Sequence, residues 1–186
     1  MKKFVLGLMI SAGLLGATTV VANADTTGDV TFTGGTLSMS VDATHLAFGS
    51  NTISSSDATL ATSSTPTVTV SDLRGTSAGW TLTVAQGQQF NTALNGTGSS
   101  LINAALTVAG TESDSAVTNG STTLTPGTTS AAGAAGTVAS AKNGTGNGAS
   151  TVTFSDSKLA VPGKTTKLAT GYTTTLTWNL NDTPGN

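Results

Sequence analysis

Apolar and polar residues alternate in short runs along most of this chain, and Gly, Ser, Asn and Pro clusters separate the runs. That is the period of a strand with one buried face. Val68 and Val70 alternate with Thr67, Thr69 and Ser71. Trp80, Leu82 and Val84 alternate with Thr81 and Thr83. Val152 and Phe154 alternate with Thr151, Thr153 and Ser155. Tyr172, Thr174, Leu176, Trp178 and Leu180 share one face of a last run, with Thr173, Thr175, Thr177 and Asn179 on the other. Near the start, Val30-Thr-Phe32-Thr33, Gly34-Gly35 and Thr36 to Val41 read as two strands around a tight turn, because a Gly-Gly pair suits the positive φ angles of such turns. Pairing across it would set Phe32 against Leu37 and Val30 against Met39. The stretch from Leu101 to Val108 fits either a strand or, with Ala104 and Ala105, a short helical turn. Half-buried strands of this kind belong to antiparallel sheets packed face to face. The expected fold is therefore all-β, an antiparallel β-sandwich or flattened barrel.

The first residues follow a different rule. Lys2 and Lys3 precede an apolar stretch from Phe4 to Val21, and Ala22-Asn23-Ala24 supplies the small residues of a signal-peptidase site. This order predicts a secretory signal peptide over residues 1–24. The apolar run is short, contains Gly and Ser, and is followed by no second one, which argues against a membrane span and so against direct membrane insertion. Removal of the segment leaves a single expected domain over 25–186, with five basic and nine acidic side chains. Such a sparse, mildly acidic surface does not suit nucleic acid, which needs clustered Lys and Arg. With no cysteine, an exported fold must rest on burial and backbone pairing. Residues 110–149 form a long Gly/Ala/Thr-rich excursion, with Ala131-Ala-Gly-Ala-Ala-Gly136 and Gly144-Thr-Gly-Asn-Gly148. So few large apolar residues predict little core there, with one strand around Thr137 to Ser140. Asn181 to Asn186 carry neither apolar tail nor basic stop, so any attachment to a wall is expected to be non-covalent.

Catalytic chemistry finds few parts. Glu112 is the sole glutamate and His45 the sole histidine, and no G-x-S-x-G elbow accompanies the many serines. Paired carboxylates, a hydrolytic triad and a metal-ligand cluster are all missing. No enzyme activity, cofactor or metal is expected. Asn95-Gly-Thr, Asn119-Gly-Ser and Asn143-Gly-Thr match glycosylation sequons but read more simply as turns.

Both tryptophans stand in a W-x-L setting. Ser71-Asp-Leu-Arg-Gly-Thr-Ser-Ala-Gly-Trp-Thr-Leu-Thr-Val84 contains the first, and Tyr172-Thr-Thr-Thr-Leu-Thr-Trp-Asn-Leu-Asn-Asp-Thr-Pro184 contains the second. These segments resemble the distal and C-terminal motifs of WxL-domain surface proteins of Gram-positive bacteria, D-x-R-G…G-W-x-L-x-V and Y-x-x-x-L-x-W-x-L-x-x-x-P. Gly144, Gly146, Gly148 and Leu159-Ala-Val161-Pro162 fit the same pattern, and a chain of this size resembles the small, single-domain kind. The resemblance implies extracellular, non-covalent attachment to the cell wall, with peptidoglycan or another wall polymer as ligand. It also implies membrane-anchored WxL-interacting proteins and other WxL proteins as partners. The motif positions Trp80, Leu82, Tyr172, Leu176, Trp178, Leu180, Asp72 and Arg74 become the candidate binding residues. For the tryptophans, core packing and surface stacking are both open. Arg74 is either an ion-pair partner of Asp72 or a guanidinium offered to a ligand carboxylate. Two other roles fit the same strands: a pilin-like, fibre-forming β subunit, or a protein–protein interaction module whose wall contact is incidental.

Overall fold

The computed structural model describes residues 26–42, 45–112 and 114–185. The chain divides between Phe32 and Thr33 into two compact units. In the first, the described residues 26–32 form no strand, and the expected signal peptide over 1–24 lies outside the described residues. Among its described residues the second unit carries eleven strands: β1 Leu37–Val41, β2 Ala58–Ala61, β3 Thr67–Asp72, β4 Trp80–Gln86, β5 Ala105–Ala109, β6 Val117–Asn119, β7 Ser121–Leu124, β8 Gly136–Ala141, β9 Gly148–Thr153, β10 Lys158–Val161 and β11 Leu176–Asn181. Among the described residues there is no helix.

All pairings within the three sheets are antiparallel, and the strand orders are β1-β3-β9, β2-β10-β5-β7 and β11-β4-β8-β6. Each sheet keeps two edges, so the architecture is a sandwich and not a closed barrel. Alternation places the faces as expected. Val68 and Val70 of β3 and Val152 of β9 are buried, while the Thr69 and Thr151 hydroxyls meet across the outer face at 3.1 Å. Thr107 and Thr123 repeat the arrangement at 2.8 Å. Cross-strand threonine pairs of this kind stabilise a wet sheet face without needing charge. The inner faces of the strands build one core around Trp80, Phe154, Leu82 and Leu106.

Three local expectations change. The Gly34-Gly35 hairpin does not form: no strand covers residues 30–33, and Val30 and Phe32 are 76% and 88% exposed. Leu37 pairs instead with Asp72 of β3. The ladder continues beyond it, with Gly35 N donating to Leu73 O at 2.7 Å and Leu73 N donating to Thr36 O at 3.1 Å. A Cβ on Gly34 would lie 2.5 Å from Arg74 O. The small residue is needed there for close approach to a neighbouring backbone, not for a reversal.

Residues 110–149 also contribute more than their composition promised. They hold β6, β7 and β8, and β8 lies inside its sheet between β6 and β4. A β-bulge at Leu82/Thr83 shifts the β4–β8 register so that Val138 is skipped. It accounts for the successive burial of Val138 and Ala139, while the chain at Gly185, bonded to Ala141 O, covers Ser140. Ala141 stands opposite Trp80, and a small side chain beside a large one fills that space. Finally, the Leu101–Val108 ambiguity resolves into both forms. Ala104 N bonds Leu101 O in a turn at 3.1 Å, and β5 begins at Ala105.

Candidate functional site

The two W-x-L motifs are neighbours. β11 pairs with β4 so that Leu180 faces Leu82, Trp178 faces Val84 and Leu176 faces Gln86. Residues opposite each other in a ladder project to the same side, so both tryptophans and both leucines belong to one face. Because the strands run in opposite directions, the two indoles sit at different ends of it.

Trp80 is fully buried, as is Leu82. Its Nε1 donates to Gly146 O at 3.1 Å, which satisfies the one polar atom of the ring. Gly146 has φ +75°, and a Cβ there would collide with the Ala141 side chain and approach Trp80 Nε1 to 2.7 Å. The glycine-rich run before β9 is therefore the lid of the Trp80 pocket.

Trp178 is only half-buried. Its ring lies 4.7 Å from that of Phe154 at 50°, within the range of favourable tilted aromatic pairs. The strand that carries it is the edge of its sheet. Leu176, Trp178 and Leu180 are half-buried in turn, and Thr177, Asn179 and Asn181 between them are exposed. Upstream, Tyr172 is half-buried too, and its hydroxyl accepts from Leu168 N at 2.8 Å.

Asp72 and Arg74 form a bidentate pair. Arg74 Nε reaches Asp72 Oδ1 at 2.9 Å and Nη2 reaches Oδ2 at 2.8 Å, while Arg74 N also donates to Oδ1. Nη2 donates as well to Gly79 O at 2.7 Å. The guanidinium thus ties the end of β3 to the start of β4. Hydrogen bonds from Arg74 hold the Asp72 carboxyl below its ordinary value, against the opposing effect of burial. The arginine is raised in turn, chiefly by those bonds and with a smaller contribution from Asp182. With the carboxylate inaccessible and the guanidinium side chain 18% exposed, this pair is a clamp.

Two hollows adjoin β11. A groove of about 650 Å³ runs between β11 and β1, lined by Leu37 to Met39 on one side, Trp178 to Asp182 on the other, and Arg74. A larger, mostly apolar cleft of about 1460 Å³ penetrates between the sheets, with Phe48, Phe90, Leu106, Tyr172, Leu176 and Trp178 among its walls. Trp178 borders both. Phe48 and Phe90, in edge-to-face contact at 6.2 Å, come from segments without strand structure and were not anticipated. The alternation in Leu46-Ala47-Phe48 was the only signal for the first of them. No group of His, Cys, Asp and Glu among the described residues could hold a metal ion.

The model of the WxL domain, a surface cell wall-binding family, matches residues 19–184. The chain belongs to the WxL family. The WxL match covers nearly the whole sequence, both W-x-L strands included, and marks a cell-surface domain that binds the cell wall. The WxL description is that of a binding family. No curated protein and no solved structure matches the chain. Within this WxL domain the motif positions divide in two. Trp80, Leu82 and Asp72 are interior, whereas Tyr172, Leu176, Trp178 and Leu180 border the hollows, with Arg74 at the groove's end.

Proposed function

We propose that the domain binds peptidoglycan non-covalently along the Tyr172–Trp178 stretch and the mouth of the large cleft, after export and removal of residues 1–24. The half-buried Trp178 carries this reading: an indole held by Phe154 on one side and open on the other is a rigid platform for a sugar ring or an acyl methyl group. The Tyr172 hydroxyl, on the same face of the run and in the wall of the same cleft, offers a polar contact to a hydroxyl-rich polymer. Membrane-anchored WxL-interacting proteins and other WxL proteins are the expected protein partners at the same surface.

The test is co-sedimentation with purified peptidoglycan, with and without teichoic acid. Trp178→Ala is expected to keep a cooperative melting transition and lose at least tenfold in retention. A folded Trp178→Ala protein that pellets like the parent removes this ring from the contact. No pelleting of the parent with pure peptidoglycan, but recovery on whole cells, would shift the ligand to a protein partner.

A further inference from the structure

The groove between β1 and β11 is bordered by consecutive residues of both strands, Leu37-Ser38-Met39 and Trp178 through Asp182. Consecutive residues alternate between faces, so what borders this groove is the edge of each strand, backbone included. Among the described residues no strand pairs with the outer side of either: β1 has only β3 as neighbour and β11 only β4. β1 is exposed on both faces from Ser38 to Val41, as expected of a strand covered on one side only. Beside this seam lies the apolar cleft, reached past Trp178. A sandwich with two unpaired edges facing one groove, and an apolar hollow next to it, is short of one strand.

The same chain carries an unpaired segment of the right kind. Residues 26–33 have the alternation of a strand, with Val30 and Phe32 on one side, and among the described residues these are the most exposed large apolar side chains. Their spacing of two matches Leu37 and Met39 on β1 and Trp178 and Leu180 on β11, so one inserted strand meets both rows of side chains. Return to its own groove needs a reversal at Gly34-Gly35. Neither glycine has positive φ, and Gly35 and Thr36 are already bonded to Leu73.

We propose that residues 26–33 of one molecule add as a strand between β1 and β11 of a second copy, seating Val30 and Phe32 against Trp178 and Leu180. Main-chain bonds to two edges supply affinity and the apolar pair sets the register. Because donor and acceptor are different surfaces, the contact is head-to-tail, and repetition yields an open chain of subunits unless a rotation closes it into a ring. This assembly covers Trp178, the ring the proposed wall contact also uses, so one molecule offers that ring to one occupant at a time; self-association is measured without any wall.

Light scattering on the protein recovered from the cell surface tests it, over a wide range of concentration. The expected result is a mass that grows with concentration to several subunits, and that falls to one subunit in Val30→Ser/Phe32→Ser. That variant touches only exposed side chains, so its fold is not at stake. The chain has no cysteine, which permits a second measurement. Phe32→Cys mixed with Leu180→Cys should give a disulfide-linked dimer under mild oxidation, and Phe32→Cys mixed with Thr123→Cys on β7 should not. A parent that stays monomeric at every concentration overturns the proposal. So does an equal yield with the Thr123→Cys control. A Phe32→Cys/Leu180→Cys double variant that closes within one monomer would show the arm filling its own groove, and would overturn it as well.

Discussion

Trp80 and Trp178 open the same three-letter motif on adjacent strands and lead different lives. β4 has a strand on each side, β11 and β8, and the glycine-rich run before β9 closes over its indole. β11 has a partner on one side only, and its indole remains at the border of two hollows. Burial is decided by how many neighbours the strand has, not by the residue or its immediate flanks. One copy of the motif holds the sandwich together. The other is left at the surface where a ligand can reach it.

That contrast can be broken in graded steps. Trp80→Ala should cost about 3–5 kcal/mol, the usual range for deleting a buried large aromatic. Against typical domain margins of about 5–15 kcal/mol, that should move the denaturant midpoint a large part of the way toward zero denaturant. Gly146→Ala attacks the same ring from outside: a collision with Ala141 and a left-handed backbone together should cost about 2–3 kcal/mol, read as an earlier urea midpoint. Trp178→Ala should cost less, about 1–2 kcal/mol, because much of that side chain already faces water. A loss as large as that of Trp80→Ala would erase the distinction between the two strands.

The smallest effect is a slope with pH. Bonds from Arg74 lower the Asp72 carboxyl below its ordinary value, so the folded protein takes up that proton less readily than the unfolded chain. The resulting stabilisation is complete above the unfolded value and disappears as pH falls through the lower, folded one. Denaturant midpoints measured downward from neutral pH should therefore fall in that acid window. Asp72→Asn should flatten this part of the curve.

Strands β3, β4 and β11 were legible because Val, Leu and Trp alternate with Thr, and each lies with one face inward. Where the fold departed from expectation, composition stood in for information it does not hold. Gly34-Gly35 has the letters of a turn, but the residue was needed because Arg74 O passes too close for a side chain. Val138 to Ala141 seemed too small for a core, yet a bulge and the neighbouring bulk of Trp80 make small residues the right filling. The spacing of Asp72 and Arg74 was visible. Its meaning was not, since only the fold shows that the carboxylate is sealed and the guanidinium also binds Gly79 O. Likewise both W-x-L motifs were plain to see, but which strand ends at an edge depends on pairings across most of the chain.

Those pairings carry a last consequence. β3 waits for β9, and β4 waits for β8 on one side and β11 on the other. On the export route proposed above, with the amino end leading, Trp80 and its strand would gain β8 only after residues 136–141 emerge and β11 only after residues 176–181. Few local contacts compete with that wait, and folds dominated by distant pairings form slowly. On that proposed route the topology would leave the chain pliable during passage and postpone its locking to the far side.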